Sequence, residues 1–577
     1  MKSGCYFKSV VLFLLLVGFT HCTLRNELPP GDADNGGLFL PDQFEAVVVA
    51  ESTGPARHMA VSDEGIIYVK LRSPKPKGIV ALQDRSNDGK ADSIVYFGDY
   101  KDEGAYGTAM RIYRGYLYFT TAGQLYRVKL TPGKMIPEGE FEVIVNDDYK
   151  HDKHGYEHIA KPIAFDDKGN VYVPFGAPGD VCQVRNRIPG YPGEDPCSQL
   201  EEHGGIWKFD ANKTGQTQKD GIRYATGMRS LVAMDWNHAD SSLYVVIHGR
   251  DDLHSRNAAL FSPWQSAVLP SEEFLKVKEG TNAGWPYYYY DQIKGKRMLN
   301  PEYGGDGTKE GKGDQYARPL IGFPAHLAPN DLFFYTGDQF PKHYKNGAFI
   351  AFHGSTNRAP YPQAGYFVAF VPFVNGIPTG KWEVFADGFA GVDPVVSVND
   401  ARYRPMGIAM GPDGALYLTE TNKGKIWRVM YKGKKETFGE AQLAKMEKRK
   451  LLSNIRDPDE VNDNLTRGLA VGGEKVYVTY CRSCHQKDGR GASGRFPPLS
   501  GTWVTGDKAK LIGIVVGGME GQIEVNGEAY NDVMPKHQFL SDEEVANVLT
   551  YVRENFGNKA SPVTIDEVRD VRAARKK

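Results

Sequence analysis

The sequence has little charge bias, few cysteines and no long apolar run outside its first residues. Its 70 Lys and Arg against 71 Asp and Glu leave a net charge of -1 over 577 residues. A chain with no basic excess has no electrostatic hold on nucleic acid, and none on a strongly charged partner. Beyond residue 22 no segment is apolar enough to cross a bilayer. The cysteines number only six, so each can be placed separately. What is abundant is glycine, at 65, and tyrosine, at 32, the residues of turns and strands. The length suits two or three domains with a large core.

Residues 1–22 read as a signal peptide. Lys2 and Lys8 flank an apolar run from Val10 to Phe19, too short to span a membrane but of signal-sequence size. The reading is of an exported protein, periplasmic or membrane-anchored. Gly18-Phe19-Thr20-His21-Cys22 resembles a loose lipobox, which makes Cys22 a candidate lipid anchor, with plain cleavage as the alternative. Cys5 falls in the same leader. Cys182 and Cys197 share one loop rich in proline and glycine, and in an oxidising compartment a disulfide between them is expected, two free thiols being the alternative.

The last two cysteines stand in Cys481-Arg482-Ser483-Cys484-His485. This is the C-x-x-C-H spacing at which two thiols on one helical turn reach the two vinyl groups of a haem and the adjacent imidazole meets the iron. A zinc or redox dithiol site shares the C-x-x-C part, but no second ligand pair follows. Met534, before Pro535, is the expected sixth ligand; Met519, after two glycines, is the other candidate. Ser541-Asp542-Glu543-Glu544 caps a helix predicted over 545–556, and Trp503 with Pro497, Pro498 and Leu499 would wall the haem. Residues 471–558 resemble a small mono-haem class I cytochrome c, all-α, followed by a tail over 559–577.

From about 40 to 430 one pattern recurs. A turn residue precedes a short aromatic strand at Gly65, Gly115, Gly169, Ser242, Gly347 and Gly414. Several are followed by a second strand, as in Gly123 to Val128 and Gly424 to Val429. Meanders that cannot bury both faces alone, repeated six times, predict a mainly β fold, a six-bladed β-propeller; a sandwich with extra domains is the alternative. Residues 431–470 turn to Lys and Glu with helical spacing and read as a charged helical linker. Asp84-x-Ser86-x-Asp88-Gly89-x-x-Asp92 has part of a calcium-loop pattern without its closing Glu, and reads as a hairpin turn.

Within 40–430 the order of several stretches resembles the soluble quinoprotein glucose, aldose and sorbosone dehydrogenases. They are Arg229 with Leu231, Gly249-Arg250-Asp251-Asp252-Leu253, Gly284-Trp285-Pro286, the run from Ala328 to Pro341, His353 through Arg358, and Arg404-Pro405-Met406. The resemblance implies pyrroloquinoline quinone (PQQ) and calcium on the propeller axis. It implies a general-base histidine at His158, with His151 and His154 on the same loop as the alternatives, and Arg229 as the cation facing the quinone oxygen. His326, Arg358, Arg402 and Arg404 would contact PQQ with Arg229, and main-chain oxygens of Gly249 and Arg250 would hold calcium. Ser230 departs from the asparagine of the glucose enzymes.

The expected activity is oxidation of a sugar, polyol or related aldehyde at PQQ, with electrons passing through haem c to an external acceptor such as a cytochrome or respiratory chain. Two other readings compete. One is a glycan- or protein-binding propeller fused to an electron-transfer cytochrome. The other is a relative of the eight-bladed haem nitrite reductases, which six repeats disfavour.

Overall fold

The computed structural model describes residues 28–72, 77–100, 108–151, 156–311, 315–460, 472–531 and 533–575. The leader with Cys5 and Cys22, and His154, lie outside the described residues, as does the side chain of His151.

Six mainly antiparallel sheets of four or five strands follow one another along the chain. Their first strands are Ala56–Val61, Met110–Tyr113, Ala164–Phe165, Leu231–Asn237, Pro329–Phe334 and Pro405–Met410, and neighbouring first strands meet around a common hub. The second strands are Ile67–Leu71, Tyr116–Thr120, Asn170–Phe175, Ser242–Ile247, Ala348–Phe352 and Leu416–Glu420. These are the six recurrences read from the sequence, each just after its turn residue. The fold is a six-bladed β-propeller. Asp84 accepts from the Gly89 amide at 2.8 Å and Asp92 from the Ser86 amide at 2.9 Å, so that loop is a backbone-satisfied hairpin turn.

The ring is closed by strand exchange between distant parts of the chain. Phe44–Ala50 forms the outer strand of the sixth blade, paired antiparallel with Ile426–Tyr431 in the register Phe44 to Tyr431. The Phe44 ring then sits edge-on to Phe340 at 4.9 Å and to Phe385 at 5.3 Å. Such aromatic pairs add about 0.5–1.5 kcal/mol each beyond their buried area.

The hub is polar. Asp331 accepts from Arg111 Nη2 at 2.7 Å and from the Ile408 amide at 2.8 Å, and Asp235 accepts from the Phe334 amide at 2.9 Å. These bonds tie the second, fourth, fifth and sixth blades together. Burial pushes the Asp235 carboxyl up to about 6.

The segment after the propeller is not a solvated charged helix. It is helical over Glu440–Glu447, but Met446 and Ile455 are buried against Phe352 and Phe367 of the fifth blade. Lys and Glu occupy the outward positions, while the rare apolar residues seat the segment.

In the haem-domain region the helix Asp542–Glu554 is capped by Ser541 and Glu544 as expected and buries Val545, Val548, Leu549 and Val552. It crosses the helix Gly473–Val476 so closely that a Cβ on Gly473 would lie 2.0 Å from the Asn547 carbonyl oxygen. The domain is not wholly helical, because Ile523–Val525 and Glu528–Tyr530 form a hairpin. The stretch after 558 folds too. Ile565–Arg575 is a helix whose Val568 is buried, with Arg575 donating to the Gly513 carbonyl at 2.8 Å.

Cys182 and Cys197 form a disulfide across a separation of 15 residues. Closing a loop of that size in the unfolded chain is worth about 3 kcal/mol. The Cys182→Ser, Cys197→Ser double variant should therefore lose about that much in denaturant unfolding under oxidising conditions. A midpoint that does not move would show that packing alone fixes the loop.

Candidate active site and haem cavity

His485 is buried, and its Nδ1 lies 3.0 Å from the Pro497 carbonyl oxygen. Donation from Nδ1–H fixes the tautomer and leaves Nε2 as the lone-pair nitrogen. Burial lowers the His485 pKa, which favours the neutral imidazole a metal needs. Neither Cys481 nor Cys484 is in a disulfide. All three line one cavity of about 660 Å³, together with Trp503, Met519 and Met534. The two methionines are held opposite each other by paired backbone bonds, Met519 N to Met534 O at 3.0 Å and Met534 N to Met519 O at 2.9 Å. Two cysteine thiols outside any disulfide, a directed imidazole and thioethers around one cavity match the donor set of a covalently held haem.

The propeller contributes the rest of that cavity's wall through Arg187, Asp251, Asp252, His254 and Arg256 among others. Behind Asp251 lies the group the resemblance pointed to. Arg229 is buried, its Nη2 2.7 Å from Asp251 and its Nε 2.8 Å from Asp180. Its backbone carbonyl accepts from the Ala177 amide at 2.8 Å, and the Ala177 carbonyl oxygen lies 2.7 Å from His158 Nδ1. One residue thus couples the candidate base to the candidate cation. Burial, and then the Arg229 charge, lower His158 to about 3, so the imidazole is neutral across the physiological range.

From Asp251 the connection continues. Its second oxygen accepts from Asn357 at 2.6 Å, and Ser355 Oγ donates to the His326 carbonyl at 2.9 Å. Arg404 reaches the Gly354 carbonyl and lies 2.9 Å from His353 Nδ1. The loops carrying His158, Arg229, His326 and Arg404 are therefore knit into one network. His326 itself turns its Nε2 to the Ser266 carbonyl at 2.8 Å.

Two expected cations do not join it. Arg402 is exposed and lies over the Tyr403 ring. Arg358 is fully buried but directed the other way, donating to the carbonyls of Ala267, Ser453 and Arg456 at 3.3, 3.3 and 2.7 Å. Its Nε holds the propeller residue Ala267 and its two terminal nitrogens hold the linker, so the guanidinium is spent on backbone carbonyls away from the Arg229 network. At the position expected for calcium the Gly249 carbonyl accepts from Arg229 Nη1, and the Gly249 amide donates to Glu272 at 3.0 Å. Among the described residues no group of three or more His, Cys, Asp or Glu side chains is placed to hold a metal ion.

Asp180 was not legible beforehand. It sits in Pro178-Gly179-Asp180, with no motif around it. In the structure it is buried 2.7 Å from Arg256, 2.8 Å from Arg229, 3.8 Å from Arg250 and 4.0 Å from Arg187. Burial alone would raise its pKa, but the four guanidiniums, Arg256 first, hold it well below the usual carboxylate range.

A propeller carrying a neutral histidine beside a buried arginine, joined to a domain with haem-attachment chemistry, defines an oxidoreductase of the propeller-plus-cytochrome class. Comparison with known families agrees. Residues 100–355 match the glucose/sorbosone dehydrogenase family, 295–432 a TrAA12-like family, and 470–555 cytochrome c. The chain thus carries a glucose/sorbosone dehydrogenase domain and a C-terminal cytochrome c domain. Over 122 residues it is 38% identical to cytochrome c-552 of Thermus thermophilus, covering 19% of this chain and 82% of that protein. The PQQ domain of pyranose dehydrogenase from Coprinopsis cinerea superposes with a TM-score of 0.53 at 15% identity, over 70% of this chain and 98% of that one. A Trichoderma reesei protein of Carbohydrate-Active Enzymes Family AA12 gives 0.55 at 17%, over 69% and 98%. These two likenesses establish the fold.

Proposed function

We propose that this chain is an exported quinohaemoprotein dehydrogenase that oxidises a sugar or related alcohol at the propeller and passes the electrons through its haem c. The observation that carries the reading is the double role of Asp251, which pairs with Arg229 and also lines the haem cavity. The two redox centres would thus share a wall one side chain thick.

Within this reading His158 Nε2 accepts the proton of the substrate hydroxyl, while Nδ1, turned to the Ala177 carbonyl, holds the ring in place. Arg229, fixed in position by Asp180 and Asp251, supplies a preorganised positive field where negative charge develops. PQQ, when bound, would supply the electron-poor acceptor for the substrate's hydride. Arg404 suits one of its carboxylates, because this largely buried guanidinium donates to the neutral acceptors of His353 and Gly354. Lipidation of Cys22 and an external acceptor for the haem's electrons complete the proposal.

The test is reconstitution with PQQ and calcium, followed by haem absorbance on adding aldoses and polyols. His158→Ala should lower the rate about 10²–10⁴-fold, the usual contribution of a general base. A lowered pKa also sets the sign of the pH effect. An ordinary imidazole would be half protonated at 6.5, but His158 near 3 stays unprotonated as pH falls from 7 to 5. The acid limb of kcat/KM should therefore not follow a group near 6.5. No haem reduction with any substrate, or a His158→Ala variant as fast as the parent, would sink the assignment.

A further inference from the structure

The packed segment after the propeller has a consequence for electron transfer. Arg358 holds Ser453 and Arg456 by their carbonyls, with Asp457 at 3.4 Å. Asn454 and Gly365 exchange two bonds, Asn454 Nδ2 to Gly365 O at 2.7 Å and Gly365 N to Asn454 O at 2.8 Å. Ile455 is fully buried, and Trp264 Nε1 donates to the Pro458 carbonyl at 2.8 Å. Residues 453–458 are thus fixed at nearly every position, at the edge where Pro263 and Ser266 line the haem cavity.

The haem domain is also touched directly. Gln486, the residue after His485, donates to Ser397 Oγ at 2.7 Å, and the Phe539 ring lies 4.8 Å from the His254 ring, edge to face. Single contacts of this kind are weak. The chain leading to this domain is already tied down at 453–458, which removes part of the ordering cost of docking, so each contact acts at high effective concentration.

We propose that residues 453–458 form a docking strut and that Arg358 is its positioning residue, holding the cytochrome domain against the propeller so that electrons cross in the docked arrangement without a domain swing. This rests on the function proposed above. The balance is simple. Oxidation of one alcohol carbon breaks an O–H and a C–H bond: His158 would take the hydroxyl proton, PQQ, when bound, would supply the acceptor for the hydride, and on reoxidation the hydride's proton would leave to solvent as its two electrons depart. The electrons reach the haem domain one at a time, and an external one-electron acceptor removes each before the next.

Two variants test it, in the full chain loaded with haem, PQQ and calcium. Arg358→Ala removes the clamp. Trp264→Phe with Asn454→Ala loosens the same strut without touching a charge, and serves if Arg358→Ala does not fold. Two rates are read with one sugar: reduction of a two-electron dye that draws directly on the propeller, and single-turnover reduction of the haem. Haem reduction should fall about tenfold or more as the effective concentration is lost, while the dye rate and the KM for sugar in the Trp264, Asn454 variant stay at the parent value. Backbone hydrogen exchange of 453–458, 486 and 537–540 is measured in the same samples. Unchanged haem reduction in variants whose strut has lost protection would overturn the proposal, as would a strut that stays protected in both. If the parent itself reduces no dye, the proposed function fails. Exchange then decides the docking: loss of protection at 486 and 537–540 supports it, and no change overturns it.

Discussion

Replacing Cys481 and Cys484 together by serine is expected to yield a protein with no covalently attached haem and an intact propeller. The cavity wall shows why the effect should be complete. Both sulfurs and His485 lie on one short helical stretch against the same void, and no other described cysteine is free to substitute, since Cys182 and Cys197 are bonded to each other. Removing one thiol leaves one thioether and a partly populated product. Removing both leaves a haem that acidified organic solvent extracts. Denaturing mass spectrometry should find the apoprotein mass, and sugar-driven dye reduction should continue, because the His158–Arg229 group sits on the propeller's own strands and loops. Haem that stays attached through extraction would mean that the attachment site has been misplaced.

The second large effect is expected at Asp180. Asp180→Ala should destabilise the propeller by about 3–5 kcal/mol, the usual result of removing one partner from a buried ion cluster. Two guanidiniums within 2.8 Å, Arg256 and Arg229, would lose their shared counter-charge inside the protein. Asp180→Asn keeps the shape but not the charge and should fall between. The pH dependence has a definite sign. A carboxyl held well below its ordinary 3.8 contributes stability that is fully present above that value and is lost as pH falls through the folded-state pKa. The parent should therefore lose stability on acidification below about pH 4 more steeply than the Asn variant. Urea midpoints at neutral and acid pH measure both effects. A loss at neutral pH under about 1 kcal/mol would show that the arginines find other partners.

The sequence carried the propeller because each blade's second strand announces itself. Strands such as Tyr116–Thr120 and Leu416–Glu420 are buried on both faces, so their apolar runs begin abruptly after a turn residue. The blade-closing strand Phe44–Ala50 had no such repeat signature, and its partner lies almost 400 residues away, so only the register reveals it. The haem residues were legible because their chemistry demands a contiguous motif. The propeller site was less so, because it is assembled from loops of several blades. Arg229 and Arg404 were singled out through the stretches around them and meet in one network, whereas Arg358, in an equally suggestive stretch, is turned to the carbonyls of Ala267, Ser453 and Arg456. Nothing local distinguishes an arginine turned to a cavity from one turned to a backbone. Asp180 and Asn357 acquire meaning only when the loops meet, and the apolar anchors Met446 and Ile455 were hidden by the lysines around them.

The pairing of Phe44–Ala50 with Ile426–Tyr431 has a bearing on biogenesis. During synthesis the early strand is a lone β-segment that must wait, unpartnered, until nearly all of the chain has been made. Its valines and Phe44 are exposed to self-association or chaperone capture for that whole interval. A version permuted to begin at residue 51 and to append 40–50 after 431 would remove the wait, and should mature with less aggregation.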